Sequence, residues 1–424
     1  MEKRSVRGEF LDGLESRDPT LREVELMSRL PACVAHAQEA SAAYRDILQD
    51  VEPREVISRD ALARLPVTRK HSLVSFQTDS RRRGAGPFGG LATAVYGPSM
   101  PHVFASPGPI YEPGGRTRDY WRMARPIFAA GFRAGDLIHN SFSYHFVPAG
   151  SMMEGGALAL GCSVFAAGTG QTEQQVQAMA DLQPSGYIGT PSFLKIMLEK
   201  AHDLGIRLPG VRKALFSGEA FPPSLRDWFI ERGVQGYQCY ATADVGSIAY
   251  ETTAREGLVV DEEAIVEIVR PGTGDPVAQG EVGEVVVTTL NTLYPMIRFG
   301  TGDLSAVLPG PCPTGRTNMR IKGWMGRADQ TTKVRGMFVH PEQVDQIIRR
   351  FPEVIRARLV VSGEMANDEM VLQIEAGTEA APAKTEKIAQ AIREVTKLRG
   401  DVLWLKPGSL PNDGKVIEDA RSYK

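Results

Sequence analysis

The sequence has few cysteines, almost no net charge and no long apolar run. Its four cysteines are widely separated and form no CxxC pair, so neither a disulfide framework nor a structural zinc site is expected. A formal net charge of −2 gives no basis for nucleic acid as an electrostatic partner. No stretch approaches the ~20 apolar residues of a membrane span, and the amino terminus has no apolar leader segment. We therefore expect a soluble, cytoplasmic protein without a membrane or nucleic-acid partner.

The sequence does contain enough apolar residues for more than one core. It has 424 residues, of which 42% are hydrophobic and 24% charged, which predicts two or three packed units. In its middle part, short apolar runs alternate with helical patterns. The runs are residues 164–167, 187–189, 214–216 and 236–240, and the helical patterns are 173–182, 192–204 and 223–232. This alternation predicts βαβ units and a parallel sheet covered on both faces.

The remaining parts of the chain have different patterns. A helical pattern begins at Asp18-Pro19, and residues 259–269 and 284–290 predict a small β subdomain. A last block with an α+β pattern begins near Asp329, with Pro341 at the first position of a helix. The predicted organisation is an α/β protein with an N-terminal domain over 1–328 and a C-terminal α+β domain over 329–424.

Two candidate sites follow apolar runs of the predicted parallel sheet. Ligands of such sheets bind outside the carboxyl ends of the strands, so the residues that follow each run are the place to look for chemistry. Ser217-Gly218-Glu219 would present backbone to the edge of a base. In the segment from Tyr240 to Asp244, the aromatic ring suits stacking and the carboxylate suits Mg²⁺, which prefers oxygen ligands. Each signal is weak alone, because strand ends often carry such residues for packing.

Three further motifs lie in the last third of the chain. Asp303, two residues after Thr301, could accept both hydroxyls of a ribose, although this is also a common turn sequence. Arg327 and Asp329 stand where the pattern changes, and the alternative is a linker ion pair worth about 0–1 kcal/mol. Lys415 lies on a loop rich in proline and glycine, where it is either solvated or placed to reach a developing negative charge.

The order of these motifs resembles that of adenylate-forming enzymes, and more closely that of phenylacetate–CoA ligases. The resemblance includes an early signature at 58–70 and a later run, PGPCPTGRT, that begins at Pro309 and continues through Val344. It covers nearly the whole chain from about residue 20. The resemblance implies an AMP-binding domain followed by a mobile lid domain. It also implies ATP-dependent activation of a carboxylic acid, aryl or arylacetic, to an acyl adenylate and its transfer to the thiol of coenzyme A, with Mg²⁺.

The resemblance also assigns roles to individual residues. Tyr240 would stack on the adenine, Asp303 would hold the ribose with Arg327 beside it, and Asp329 would be the hinge. Lys415 would act at the acyl phosphate during adenylation. The nucleotide-binding set is Ser217, Gly218, Glu219, Tyr240, Ala241, Thr242, Asp303 and Arg327. Asp244 would bind the metal, while Tyr144 and His145 would lie by the acyl pocket. A homodimer is the default expectation.

The chain departs from the family pattern mainly at the phosphate loop. Where the family has roughly SSGTTGKP, residues 105–113 carry three prolines and no lysine, and only Ser106 and Gly108 resemble the family's loop. Glu112 adds a negative charge where phosphates are expected, so the loop should hold β- and γ-phosphates poorly. Asp244 replaces a glutamate, with Ala243 beside it. Two alternatives therefore stay open: an adenylate-forming relative that does not use coenzyme A, and a non-catalytic nucleotide- or acyl-binding protein.

Overall fold

The computed structural model describes residues 9–107, 110–328, 332–334, 337–363, 368–377 and 382–421. The helices are α1 (Pro19–Ala40), α2 (Ala42–Ile47), α3 (Arg59–Ala63), α4 (Lys70–Arg82), α5 (Ala124–Ala129), α6 (Ala149–Leu160), α7 (Thr172–Leu182), α8 (Pro191–Asp203), α9 (Pro223–Ile230), α10 (Pro341–Ile348) and α11 (Pro382–Thr396). Short 3₁₀ helices cover Gly13–Ser16 and Pro53–Glu55. None of the helices in these ranges is both long and apolar enough to cross a membrane.

The strands alternate with these helices through the middle of the chain. They are β1 (Thr68–Arg69), β2 (His102–Ser106), β3 (Ile110–Gly114), β4 (Leu137–Asn140), β5 (Ser163–Ala166), β6 (Gly186–Gly189), β7 (Lys213–Phe216), β8 (Gln235–Thr242), β9 (Gly246–Glu251), β10 (Leu258–Val260), β11 (Ala264–Val269), β12 (Gly283–Thr289), β13 (Phe299–Ser305), β14 (Val307–Leu308), β15 (Arg320–Ile321), β16 (Thr332–Val334), β17 (Met337–Val339), β18 (Val354–Ser362), β19 (Glu369–Ala376), β20 (Asp401–Leu405) and β21 (Ile417–Asp419).

The chain divides into two compact units. The first contains the chain up to Val266 together with Val287–Phe299 and Leu308–Trp324. The second contains Glu267–Val286, Gly300–Val307 and the chain from Met325 onward. Both units are therefore assembled from separate stretches of sequence. The domain boundary at 328/329 stays a prediction, and Asp329 itself lies outside the described residues.

The first unit is built on a large sheet in which β5, β4, β6, β7 and β8 are neighbours and run parallel. The sheet continues through β9, β10 and β15, whose pairings are antiparallel. Strand β6 is buried along its whole length, as expected for a strand covered on both faces. The helices α7, α8 and α9 pack on this sheet through Val176, Leu194 and Phe229. The predicted βαβ alternation is confirmed.

The second unit contains a four-stranded sheet of order β20-β19-β18-β21 with α10 and α11. The central pair β18–β19 is antiparallel, and both outer pairings are parallel. Pro341 occupies the first turn of α10 as predicted, and Val344 and Ile347 are buried on one face of that helix. These side chains share a core with Leu359 of β18 and Ile392 of α11. The predicted α+β pattern of this block is confirmed.

The β-rich stretch 259–269 does not form one element. Strand β10 takes its first residues into the large sheet, whereas β11 joins a four-stranded sheet of order β1-β13-β12-β11. A turn at 261–263 separates the two strands, and Asp261 accepts a hydrogen bond from the backbone N–H of Glu263 in that turn. The predicted small β subdomain therefore begins at β11, because this turn redirects the chain.

Helix α6 contains two adjacent glycines in very different surroundings. A Cβ on Gly156 would lie 2.5 Å from the carbonyl carbon of Met123 and 2.6 Å from the nitrogen of Ala124. A Cβ on Gly155 would meet nothing within 4 Å in the described part of the chain. The close approach of α6 to the start of α5 therefore depends on Gly156, while Gly155 lowers helix stability without a packing role.

We predict opposite effects of alanine at these two positions. Gly155→Ala should raise the free energy of unfolding by about 0.5–1 kcal/mol, because alanine loses less backbone entropy in a helix. Gly156→Ala should lower it by about 1–3 kcal/mol, because the methyl group meets backbone atoms that cannot rotate away. Urea unfolding of both variants tests this. Equal effects at the two sites would contradict the described packing of α6.

Candidate functional site

The predicted phosphate loop is part of a β-hairpin. Strands β2 and β3 pair antiparallel, with Ser106 opposite Ile110 and Phe104 opposite Glu112. Ser106 ends β2 and is buried, and Gly108 lies outside the described residues. The backbone N–H of Ala105 donates to the carbonyl oxygen of Phe146 over 2.8 Å. The hairpin therefore lies against the loop at 141–147, which follows β4 and carries the predicted acyl-pocket residues.

Glu112 does not occupy the position that the sequence suggested. Its side chain points into the protein, since the residue is only 1% exposed. Neither carboxylate oxygen has a hydrogen-bond partner in the described part of the chain. Burial, together with the nearby charge of Asp244, raises the pKa of Glu112 to about 7. The interpretation of Glu112 as a negative charge presented to the phosphates is therefore wrong: the hairpin turns this side chain inward.

The carboxylate of Asp244 forms a buried ion pair with Lys70. The ammonium of Lys70 donates to Oδ2 of Asp244 over 2.8 Å, and the Asp244 side chain is fully buried while that of Lys70 is 31% exposed. The other oxygen, Oδ1, has no hydrogen-bond partner among the described residues. Lys70 is the first residue of α4 and ends the early signature at 58–70, yet it was not predicted to belong to the site. Its partner lies 174 positions away, and nothing in the local sequence indicates that contact.

The predicted nucleotide-binding residues of the first unit lie at neighbouring strand ends. Strands β7 and β8 are parallel neighbours, so their carboxyl ends meet at one edge of the sheet. The described residues of the predicted set that lie there are Ser217, Gly218 and Glu219 after β7, and Tyr240, Ala241 and Thr242 at the end of β8. The structure thus brings these six residues to one edge of the sheet, while their role in nucleotide binding stays a prediction.

Local contacts fix the backbone at this edge. The hydroxyl of Ser217 donates to the carbonyl oxygen of Cys239 over 3.0 Å, which ties the two strand ends together. Gly218 has φ +83°, which favours glycine. The carboxylate of Glu219 accepts a 2.6 Å hydrogen bond from the backbone N–H of Ser192 in the first turn of α8. The Glu219 side chain therefore satisfies a backbone N–H at the N-terminus of α8. The part of this segment suited to hydrogen bonds with the edge of a base is then the backbone of Gly218 and Glu219.

The remaining predicted residues lie in the second unit. Asp303 is on β13, and Nη1 of Arg327 donates to its Oδ1 over 2.9 Å. Arg327 is half-exposed, so this ion pair adds little stability. Lys415 is exposed, and its backbone N–H donates to Asp413. Gly414 before it, with φ +71°, fits closely against Val282.

The predicted acyl-pocket residues differ in their surroundings. The side-chain amide of Asn140, the last residue of β4, donates to the hydroxyl of Tyr144 over 2.8 Å and to the carbonyl oxygen of Gly150 over 3.0 Å. Next to them the hydroxyls of Ser141 and Tyr187 are hydrogen-bonded over 2.5 Å. His145 is exposed, with its ring edge-on to Phe146. Tyr144 thus belongs to a polar network at the sheet edge, whereas His145 faces solvent.

Comparisons with known proteins find relatives over most of the chain. Residues 117–293 match the AMP-binding enzyme family, and residues 336–419 match the AMP-binding enzyme C-terminal domain. The phenylacetate-coenzyme A ligase of Thermus thermophilus is 30% identical over 420 residues, which cover 90% of this chain and 92% of that protein. The enzyme of the same name from Aromatoleum evansii is 31% identical over 399 residues, covering 89% and 87%.

A solved structure shows the same fold. The crystal structure of 2-hydroxyisobutyryl-CoA ligase, determined in the postadenylation state in complex with R3-HIB-AMP, superimposes with a TM-score of 0.72. It covers 99% of this chain and 94% of its own, at 24% sequence identity. At that identity the likeness shows the fold alone. The predicted fold class, with an adenylate-forming domain followed by a C-terminal domain, is confirmed.

We predict that Glu112→Gln stabilises the protein and that the gain depends on pH. The pKa of Glu112 is raised from 4.5 to about 7 on folding, so the folded state binds the proton more tightly and loses stability as pH rises between these values. Glutamine removes that penalty. The variant should gain about 3 kcal/mol above pH 7 and nothing below about pH 4.5. Thermal unfolding across this range measures the gain, with the exposed Glu173→Gln as control. A gain that does not change with pH would contradict the burial of a titrating carboxyl.

We predict strong coupling between Lys70 and Asp244. Lys70→Met should cost about 3 kcal/mol of unfolding free energy, because it leaves the buried Asp244 carboxylate without its cation. Adding Asp244→Asn should restore most of that loss, because the uncompensated charge is then removed. A double-mutant cycle by urea unfolding measures the coupling energy. Additive effects of the two substitutions would show that the ion pair does not form in solution.

Proposed function

Because the chain belongs to the phenylacetate–coenzyme A ligase family of AMP-binding enzymes, we propose that it is an AMP-forming acid–thiol ligase. It activates an aryl or arylacetic acid with ATP and transfers the acyl group to coenzyme A. In the first half-reaction a carboxylate oxygen attacks the α-phosphorus of ATP, giving an acyl adenylate and pyrophosphate. In the second, the thiol sulfur attacks the acyl carbon and AMP leaves. The cytoplasmic location and a homodimeric state stay predictions.

One observation supports this proposal most: a nucleotide edge and an acyl region lie together at the carboxyl end of one parallel sheet. Gly218 and Tyr240 follow the parallel neighbours β7 and β8, and a Cβ on Gly218 would lie 3.6 Å from the ring of Phe142 in the loop after β4. An acid bound by that loop would therefore have its carboxylate beside a nucleotide bound at Gly218. Such positioning supplies much of the acceleration in phosphoryl-group chemistry.

Asp244 is suited to be a protein ligand of the Mg²⁺ that accompanies ATP. Magnesium in nucleotide sites commonly binds one or two carboxylates together with phosphates and water, and Oδ1 of Asp244 has no hydrogen-bond partner among the described residues. The ammonium of Lys70 would hold the other oxygen and supply positive charge near the phosphates, in a chain whose hairpin has no lysine. Bound Mg²⁺ would neutralise phosphate charge. Lys70 would orient the Asp244 carboxylate.

The altered hairpin favours one alternative within the same chemistry. Pro107 and Pro113 offer no backbone N–H to phosphates, so the protein would bind AMP or an acyl adenylate better than ATP. An enzyme of that kind would run the thioester half-reaction efficiently and adenylation slowly.

An ATP–pyrophosphate exchange assay over a panel of carboxylic acids tests the proposed function. Exchange that depends on the acid, together with acyl-CoA formation, is the expected result. Thioester formation from a synthetic acyl adenylate without exchange would favour the alternative. The absence of both reactions with every acid would leave the non-catalytic binding protein as the better account.

We predict that Lys415 matters for only one half-reaction. If its ammonium faces the carboxylate and α-phosphate during adenylation, Lys415→Ala should slow that step by ~10²–10³, as expected for the loss of one electrostatic contact in the transition state. Thioester formation from a synthetic acyl adenylate should be unaffected. Lys406→Ala, another exposed lysine of the same unit, is the matched control. Equal losses in both half-reactions would contradict the role assigned to Lys415.

A further inference from the structure

A cavity of about 1060 Å³ lies within the first unit at the amino ends of the parallel strands. Its lining includes Ser185 directly before β6, Lys213 at the start of β7 and Gln235 at the start of β8. Gly218 and Tyr240 lie at the opposite edge of the same sheet. A strand rises about 3.3 Å per residue, so Gln235 and Tyr240 of β8 are roughly 17 Å apart. A ligand in this cavity would therefore be separate from one bound at the nucleotide edge.

The lining of this cavity is mainly basic. Among the described lining residues, one is acidic, Glu9, and four are cationic: Arg133, Arg212, Lys213 and Arg316. Two of the four cations form ion pairs. The ammonium of Lys213 lies 2.6 Å from a carboxylate oxygen of Asp136, and the guanidinium of Arg316 lies 2.7 Å from one of Glu15. The positive charge available to a ligand therefore depends on the other two arginines.

These two arginines are positioned by neutral carbonyl oxygens. Nε of Arg212 donates to the carbonyl oxygen of Pro209 over 3.3 Å, and no acidic side chain in the described part of the chain forms an ion pair with Arg212. Nη1 of Arg133 donates to the carbonyl oxygens of Phe128 over 2.8 Å and Phe132 over 2.7 Å. A carbonyl oxygen orients a guanidinium without neutralising its charge. The charge of Arg212 therefore remains for a ligand to balance.

Arg133 also experiences the charge of a second guanidinium. Burial lowers the pKa of Arg133, and the charge of Arg316 acts in the same direction, while that of Asp136 opposes both. The ring of Phe128 covers the Arg133 guanidinium at 3.6 Å. Like charges in a partly desolvated place are unfavourable, and a nearby anion relieves them. An anion in the cavity would therefore stabilise this part of the lining.

The lining offers a neutral donor beside these cations. The amide oxygen of Gln235 accepts a hydrogen bond from Nη2 of Arg255 over 2.6 Å, so the amide nitrogen is the part of this side chain that remains as a donor. Arg255 is half-buried and lies over the ring of Tyr237, another lining residue, at 5.4 Å. Gln235 thus adds a donor, and Arg255 adds positive charge behind it.

We propose that this cavity binds a small molecule that carries at least two phosphoryl groups. The fork of N–H groups on arginine matches phosphoryl oxygens, and each phosphoryl group brings close to two negative charges at neutral pH. More than one group is required because the cations come from separate segments, the loop after α5, the start of β7 and the loop before β15. The volume is at the upper end of small-molecule sites, about 300–1,000 Å³. This inference goes beyond the proposed function and does not depend on it.

Calorimetry with tripolyphosphate as the probe tests the inference. The wild-type protein should bind it, and Arg212→Ala should weaken the affinity about tenfold, because a charge-assisted contact is lost. Arg212→Glu should abolish binding, because it places a negative charge in the lining. Arg212 is exposed, so neither change should prevent folding. The matched control is Arg54→Ala, an exposed arginine of the first unit that does not line the cavity, and it should leave the affinity unchanged.

The same titrations identify the site, because tripolyphosphate resembles the phosphate chain of ATP. An affinity that is unchanged in both Arg212 variants would place the probe elsewhere and overturn the inference. An equal loss in Arg54→Ala would reduce it to general electrostatic attraction and overturn it as well. Citrate that binds as tightly as tripolyphosphate would contradict the assignment of phosphoryl groups.

Hydrogen exchange and activity provide independent readouts. Tripolyphosphate should protect amides of residues 128–135 and 207–214, and protection confined to residues 217–219 and 240–244 would contradict the inference. Arg212→Glu should retain any ATP–pyrophosphate exchange of the wild-type protein, because residue 212 lies at the opposite edge of the sheet. Binding that depends on Arg212 would support the inference even if the wild-type protein showed no exchange, so the failure of the proposed function is distinguishable from the failure of this one.

Discussion

The ion pair between Lys70 and Asp244 joins an early helix to the end of the central parallel sheet. Asp244 follows β8 and its side chain is fully buried, so removing its cation would leave an uncompensated charge in the interior. That cation comes from the first residue of α4, which fixes where this helix begins relative to the strand ends. The position of the strand ends at Tyr240 and Thr242 is thereby coupled to the amino-terminal helices.

The same pair accounts for the unusual hairpin. Glu112 is buried near Asp244, and two ionised carboxylates with one cation would leave a net negative charge in the interior. The raised pKa of Glu112 relieves that charge by protonation near neutral pH. Under the proposed function, positive charge near the phosphates would come from Lys70, outside the hairpin. The chain lacks the lysine that is usual in the family's phosphate loop. At the predicted nucleotide edge, however, Gly218 keeps its left-handed turn.

Sequence reasoning succeeded where the physical signal is local. Fully buried parallel strands appear as continuous apolar runs, so β6 and β7 were found to within one residue, and Pro341 marked the start of α10. It failed where a contact joins distant positions. The inward direction of Glu112 depends on strand register in the β2–β3 hairpin, whose prolines made the sequence resemble an irregular loop. The hydrogen bond of Glu219 to the first turn of α8 and the ion pair of Lys70 have no local signature.

Under the proposed function, a carboxylate oxygen of the acid attacks the α-phosphorus of ATP at the edge formed by β7 and β8. The most direct measurement is the fate of ¹⁸O carried in the carboxylate of an acid that the protein uses. Attack at the α-phosphorus transfers one labelled oxygen to AMP when the acyl group passes to the thiol, and mass spectrometry of the AMP should therefore show one ¹⁸O per turnover. Label found in inorganic phosphate, or AMP that carries no label, would contradict adenylation as the activating step.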